Sequence, residues 1–314
     1  MGIVLTTGVR QVTGEAATVR RSGRRPGLVA LVLAGAGLAV VGLAGCGSSG
    51  VAGSSHPAAP VQVVATTSVL ADLVANVGGD RVGVYTVLRP NVDAHDLDPS
   101  PADLEAIRRA RLVVENGAGL EPWLPSALDA SGTRATVVDS SRDLALRRGD
   151  DHGADLDPHV WHDPRNVMAM VRTIATALAA ADPANTSYYE TNRDRYLAVL
   201  DALDREVAAR IGALSVRTVV TDHDAFGYYA DRYGLQLVGS VLPSFETSAE
   251  PSARRLRELA DAIRAEHVPA VFTERALPAR TARALADEAG VRVVAGDGAL
   301  YGDALGPAGS GADT

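Results

Sequence analysis

Asp157-Pro158-His159-Val160-Trp161-His162-Asp163-Pro164 lies at the middle of a 314-residue chain, and both halves of the fold can be read outward from it. Its two prolines hold the backbone out of a helix, so the turn presents the His159 imidazole at a fixed geometry. Two further histidines lie in polar turns 64 residues to either side. One is His95, in Asn91-Val92-Asp93-Ala94-His95-Asp96; the other is His223, in Thr221-Asp222-His223-Asp224-Ala225-Phe226-Gly227. Near the end, Tyr301-Gly302-Asp303-Ala304-Leu305-Gly306 offers a carboxylate.

Upstream of the central turn, short apolar runs alternate with amphipathic stretches. Strands are expected at 61–66, 81–88, 111–115 and 135–138, with helices at 68–77, 101–110 and 120–128. Ser100-Pro101-Ala102-Asp103 is a helix start, with a serine cap, proline in the first turn and an acid beside it. Downstream, Asp163-Pro164 opens a helix to about Ala181, and Asp182-Pro183 separates it from a second helix over 184–211. That second helix would be roughly 40 Å long. Alternation then resumes, with strands at 218–221, 236–241, 270–272 and 291–294 and helices at 225–233, 251–266 and 278–289. Such alternation predicts parallel sheets flanked by helices. The fold class is therefore α/β: two similar lobes, 61–183 and 213–314, joined by one long rigid helix, 184–212.

In this reading His95 and His223 each follow a strand, Asp303 follows the last strand, and His159 lies just beyond the first lobe's final strand. Ligands of open α/β sheets bind beyond the carboxyl ends of strands, so two such edges facing each other make a cleft between lobes. Three neutral imidazoles and a carboxylate meeting there suit Zn²⁺, with Mn²⁺ admitted by the carboxylate. Asp96, Asp163, Asp222 and Asp224 are neighbours able to accept the second ring N–H of a ligating histidine. His162 is expected to point away from the ion. Taken singly, each histidine also reads as a surface or capping residue, Asp303 as a loop carboxylate, and 150–163 as a solvated acidic loop.

Composition narrows the function. All 30 basic residues are arginine, and the formal net charge is −8. Residues 1–45 hold five arginines and one acid, so the remainder carries the whole acidic excess. An acidic body repels phosphates and favours cations, which argues against nucleic-acid binding. The single cysteine, Cys46, rules out an internal disulfide and cysteine-rich zinc motifs. Arg20 to Arg25, an apolar run from Gly27 to Gly45, and Leu43-Ala44-Gly45-Cys46 form a secretory signal (1–45) with cysteine first in the mature chain. Lipidation of Cys46, and a membrane attachment through it, is the expectation; an uncleaved membrane anchor is the other reading. Residues 46–60, which include His56, read as a flexible tether.

The four motifs quoted above, with His223-Asp224-Ala225-Phe226-Gly227-Tyr228 extending the third, resemble those of the zinc- and manganese-binding lipoproteins of bacterial ABC transporters, the ZnuA/TroA-like solute-binding proteins. The resemblance covers about Val61 to Thr314 and implies metal ligands at His95, His159, His223 and Asp303. It implies ABC permease and ATPase subunits as partners, a monomer, and a location on the outer face of the cytoplasmic membrane. His223, where manganese-handling members carry glutamate, tilts the expectation to zinc. The chain departs from the family in three ways. It carries only His152 where many zinc-uptake members carry a long histidine-rich loop, it has His162 in place of an apolar residue, and it ends at Thr314 before the usual last helix. That end is expected to loosen the Asp303 loop. Two alternatives stay open: a zinc hydrolase, which needs an open coordination position and a general base, and a metal-binding surface adhesin.

Overall fold

A computed structural model describes residues 59–314, apart from 90–93, 96, 150–155, 243, 246, 248 and 249. Cys46, His56, Asp96 and His152 therefore lie outside the described residues, as does the signal segment.

The first half builds one sheet from β1 (Val61–Ala65), β2 (Val82–Thr86), β3 (Leu112–Glu115) and β4 (Thr136–Asp139), all parallel, in the order β2-β1-β3-β4. Between these strands run α1 (Ser68–Gly78), α2 (Pro101–Arg109) and α3 (Leu124–Ser131). Helix α2 begins as its sequence requires. Ser100 Oγ accepts from the Asp103 N–H at 3.3 Å, and the Asp103 carboxylate accepts from the Ser100 N–H at 2.8 Å, a reciprocal cap. Helix α3 starts at Leu124 and not at Leu120 as the apolar run suggests. Pro125 explains the difference: it has no N–H to donate and fits only the first turn of a helix.

After β4 the chain passes the central turn and enters α4 (Pro164–Ala181), capped by Asp163, whose carboxylate accepts from Arg165 N–H at 2.8 Å. The 27-residue α5 (Thr186–Gly212) follows. Asp182 makes the break between them, accepting from Asn185 Nδ2 and Tyr189 Oη at 2.7 and 2.8 Å. Helix α5 lies on α4 and α1, burying Tyr189 and Leu200 in the first lobe's core beside Val77, Ile174 and Leu178.

The second half repeats the plan. Strands β5 (Thr218–Thr221), β6 (Gln236–Ser240), β7 (Ala270–Phe272) and β8 (Arg292–Val294) form a parallel sheet in the order β6-β5-β7-β8. Its helices are α6 (Gly227–Tyr233), α7 (Ala253–Ala265) and α8 (Arg280–Ala289), over a separate core that includes Val220, Ile263, Val271 and Leu285. The two lobes thus share one strand order, second-first-third-fourth, and each delivers its loops from the carboxyl ends of its strands. Residues 59–314 nevertheless form one compact unit. Part of the reason is that Asp204 on α5 accepts from Arg232 Nε and Tyr233 Oη on α6, both at 2.9 Å.

Candidate metal centre

His95 lies past the end of β2 and directly follows Ala94, which packs with Leu88 and Leu120 in a small apolar cluster that Trp161 also touches. His159 caps a tight turn over Val160–His162, where the two flanking prolines keep the chain from extending α4 backward. His223 follows β5, and Asp303 follows β8. One donor atom from each of these four residues lies within 4.8 Å of every other, and their side chains are almost fully buried.

The spacing is informative. His159 Nε2 stands 3.3 Å from both His95 Nε2 and His223 Nε2. Asp303 Oδ1 is 3.5 Å from the Nε2 atoms of His159 and His223, and Oδ2 is 3.9 Å from His95 Nε2. Four tetrahedral donors about 2.0–2.1 Å from a zinc ion would be about 3.3–3.4 Å apart, a spacing that the two His159 imidazole pairs match and the His95–Asp303 pair exceeds. The chemistry of the donors fits a cation too. Both oxygens of Asp303 are buried without a hydrogen-bond partner, which is costly for a carboxylate unless a cation satisfies it.

Behind the donors, two carboxylates fix the rings. Asp157 Oδ1 lies 2.8 Å from His159 Nδ1 and also accepts the His159 backbone N–H at 3.0 Å. Glu274, just past β7, places Oε1 2.6 Å from His223 Nδ1. A carboxylate accepts here, so Nδ1 carries the proton and Nε2 faces inward on both rings. These partners differ from the sequence neighbours expected. Asp163 is occupied in capping α4, and Asp222 accepts the Glu274 backbone N–H at 3.3 Å. Glu274 carried no local signal because it reaches His223 from a strand 51 residues away. Asp157 was not among the acids expected, although the Asp-Pro-His spacing is a local signal that could have found it. Gly302 follows from Glu274: a Cβ there would collide with the Glu274 carboxylate.

His162 turns away from the centre, as expected. Burial, with the neighbouring His159 adding to it, pushes its pKa down to about 4, so the neutral ring donates its Nε2–H to Gly302 O at 3.0 Å. Trp161 Nε1 donates to the same carbonyl, also at 3.0 Å. The Asp303 loop, which the chain's end at Thr314 was expected to loosen, is tied further by Leu305 N–H to Ser68 Oγ at 2.9 Å. A deeper support lies under the His159 turn. The buried Glu121 carboxylate accepts from Thr66 Oγ1 at 2.6 Å and from Asn116 N–H at 2.7 Å, and Asn116 Nδ2 donates to Pro158 O at 2.9 Å. Burial pushes the Glu121 pKa up to about 7 despite these bonds.

The charges of the four donors and their neighbours bear on one another strongly. Burial opposes charge on His223, but Glu274 and Asp303 outweigh it and raise its pKa well above the ordinary imidazole value. Burial likewise opposes the Asp303 carboxylate, but His223, His159 and His95 hold its pKa well below the usual range.

A family model for the periplasmic component A of the zinc-uptake complex, ZnuA, matches residues 63–314. The high-affinity zinc uptake system protein ZnuA of Bacillus subtilis is 30% identical over 264 residues, covering 80% of this chain and 82% of its own. The manganese-binding lipoprotein MntA of Halalkalibacterium halodurans is 29% identical over 273 residues, 86% and 88% of the two chains. Among solved structures, the periplasmic zinc binding protein TroA from Treponema pallidum is similar, with a TM-score of 0.74 at 29% identity over 81% of this chain and 94% of that one.

Proposed function

The chain belongs to the ZnuA family of zinc-uptake components, and from that premise we propose that it captures Zn²⁺ through His95, His159, His223 and Asp303. As the solute-binding component of an ABC metal importer, it then delivers the ion to the permease, which works with an ATPase subunit. The observation that carries the reading is the buried cluster of His95, His159, His223 and Asp303, with donor atoms within 4.8 Å of one another and both Asp303 oxygens buried without a hydrogen-bond partner.

Zinc is favoured over manganese by its donors. Three imidazole nitrogens in a tetrahedral set suit zinc, whereas manganese favours oxygen ligands in an octahedral one. Four protein donors also fill the sphere, leaving no corner for the water that a zinc hydrolase would activate. The site is thus a carrier's. The acting units are the lobes 61–183 and 213–314 with the helical segment 184–212 between them. The chain works as an exported monomer anchored by lipid on Cys46, with 46–60 as the tether. The Leu-Ala-Gly-Cys ending of the apolar run, and relatives named as lipoproteins, support this anchor.

Metal analysis of protein purified without added metal tests the proposal. Wild-type protein should carry zinc in near-equimolar amount, and His223→Ala should carry little. Equal zinc in the two proteins would contradict the assignment.

A further inference from the structure

One cation beside the metal centre is not needed to explain the four ligands. Arg147 lies in the loop that leads to the central turn, and its guanidinium meets both lobes. Nη1 donates to Asp157 Oδ2 at 3.3 Å, on the carboxylate whose other oxygen holds His159. Nε donates to Asp231 Oδ2 on α6 at 3.0 Å. The backbone around it is clamped as well. Asp157 N–H donates to Arg147 O at 2.9 Å, and Arg147 N–H donates to Tyr228 Oη at 2.8 Å. Tyr228 Oη in turn donates to Asp157 O at 3.0 Å.

Helix α6 is shaped to receive this group. Its first residue is Gly227, and a Cβ there would stand within 2.6 Å of Arg147 Cζ and closer still to Nη1. Only glycine leaves room for the guanidinium at that place. The Asp157 side chain is fully buried, so loss of Arg147 would strand one of its oxygens in a dry site and free the carboxylate to turn. The Asp231 contact is exposed on its acidic side and adds little by itself. The seat on Gly227 and the Tyr228 bridge carry the junction.

We propose that Arg147 is a positioning residue, a latch joining α6 of the second lobe to the Asp157–His159 pair, so that undocking α6 slackens one ligand and speeds release of the ion. This rests on the metal-carrier reading given above. The latch places release under the control of the surface where the lobes meet, away from the ion itself.

The test is stopped-flow release of zinc from the full chain into excess chelator. Removal of groups that orient a metal-bound imidazole weakens binding by 10–100-fold, and Arg147 acts one step behind Asp157. Arg147→Met should therefore release zinc about tenfold faster. Gly227→Ala should do the same, because the new methyl group takes the guanidinium's place. The double variant should be no faster than either single one, since both break one junction. In the NMR spectrum, the His159 Nδ1 proton should shift in both variants. Multiplying rates, an unmoved proton, or wild-type release from Arg147→Met would overturn the latch. If Arg147→Met does not fold, Arg147→Lys decides. It keeps the charge but loses the paired donors, and should release zinc about threefold faster; wild-type release there would equally overturn it. Zinc retained by His223→Ala would instead remove the metal site on which the latch depends.

Discussion

His159 Nε2 stands 3.3 Å from the Nε2 atoms of His95 and His223, a spacing that needs a proton or a cation between the nitrogens. Protons compete for the same lone pairs. Burial opposes charge on His223, but Glu274 and Asp303 outweigh it, so the ring keeps a second proton, on Nε2, to higher pH than an ordinary histidine. A zinc ion needs the Nε2 lone pair, so binding must expel that proton. Apparent affinity therefore rises with pH through neutrality and keeps rising above about 6.5, where an ordinary histidine would already be neutral. Calorimetry in two buffers of different ionisation enthalpy should show proton release on zinc binding at pH 7; the same heat in both would refute it. Glu274→Gln removes a negative charge behind His223 while keeping an acceptor for Nδ1–H. It should weaken zinc binding by about tenfold or more in a competition titration. At this scale the four donors were legible, because each sits in a turn with its own proline, glycine or acid signature. Glu274 and Arg147 were not, because their roles depend on which strand and helix ends the fold brings together.

The elements explain why the donors meet. Each lobe places its strands' carboxyl ends toward the centre, and turn residues after β2, β5 and β8 supply three of the four side chains. Most strands and helices were readable from alternation and caps: Ser100-Pro101 for α2, Asp163-Pro164 for α4, and Gly234 and Gly290 closing α6 and α8. The start of α3 was misread because an apolar run from Leu120 masks Glu121, which turns inward to accept backbone N–H groups. The packing of α5 onto the first lobe was also invisible, since length alone says nothing of which core takes Tyr189. Helix α5 meets the second lobe through Asp204, which accepts from Arg232 and Tyr233. Asp204→Ala leaves those donors unpaired at a half-buried contact and should lower stability by about 1–3 kcal/mol in a urea titration. A change below about 0.5 kcal/mol would mean the contact is solvated in solution.

For the whole molecule, a long helix packed along one lobe and bonded to the other makes a stiff frame. The Gly302 carbonyl, held by Trp161 and His162, and the α6 junction add fixed points between the lobes. Loss of the ion should therefore produce a modest movement centred on one lobe, with solution scattering profiles of empty and loaded protein nearly superimposable. A wide opening of the lobes would contradict the frame. The acidic excess carried by residues 46–314 suits a protein that gathers cations. The most direct measurement is X-ray absorption at the zinc edge of the loaded protein. Four nitrogen or oxygen neighbours at about 2.0 Å, with outer-shell scattering from three imidazoles, is the result predicted. A spectrum with one imidazole or none, or a shell of six waters and oxygens, would contradict the shared site.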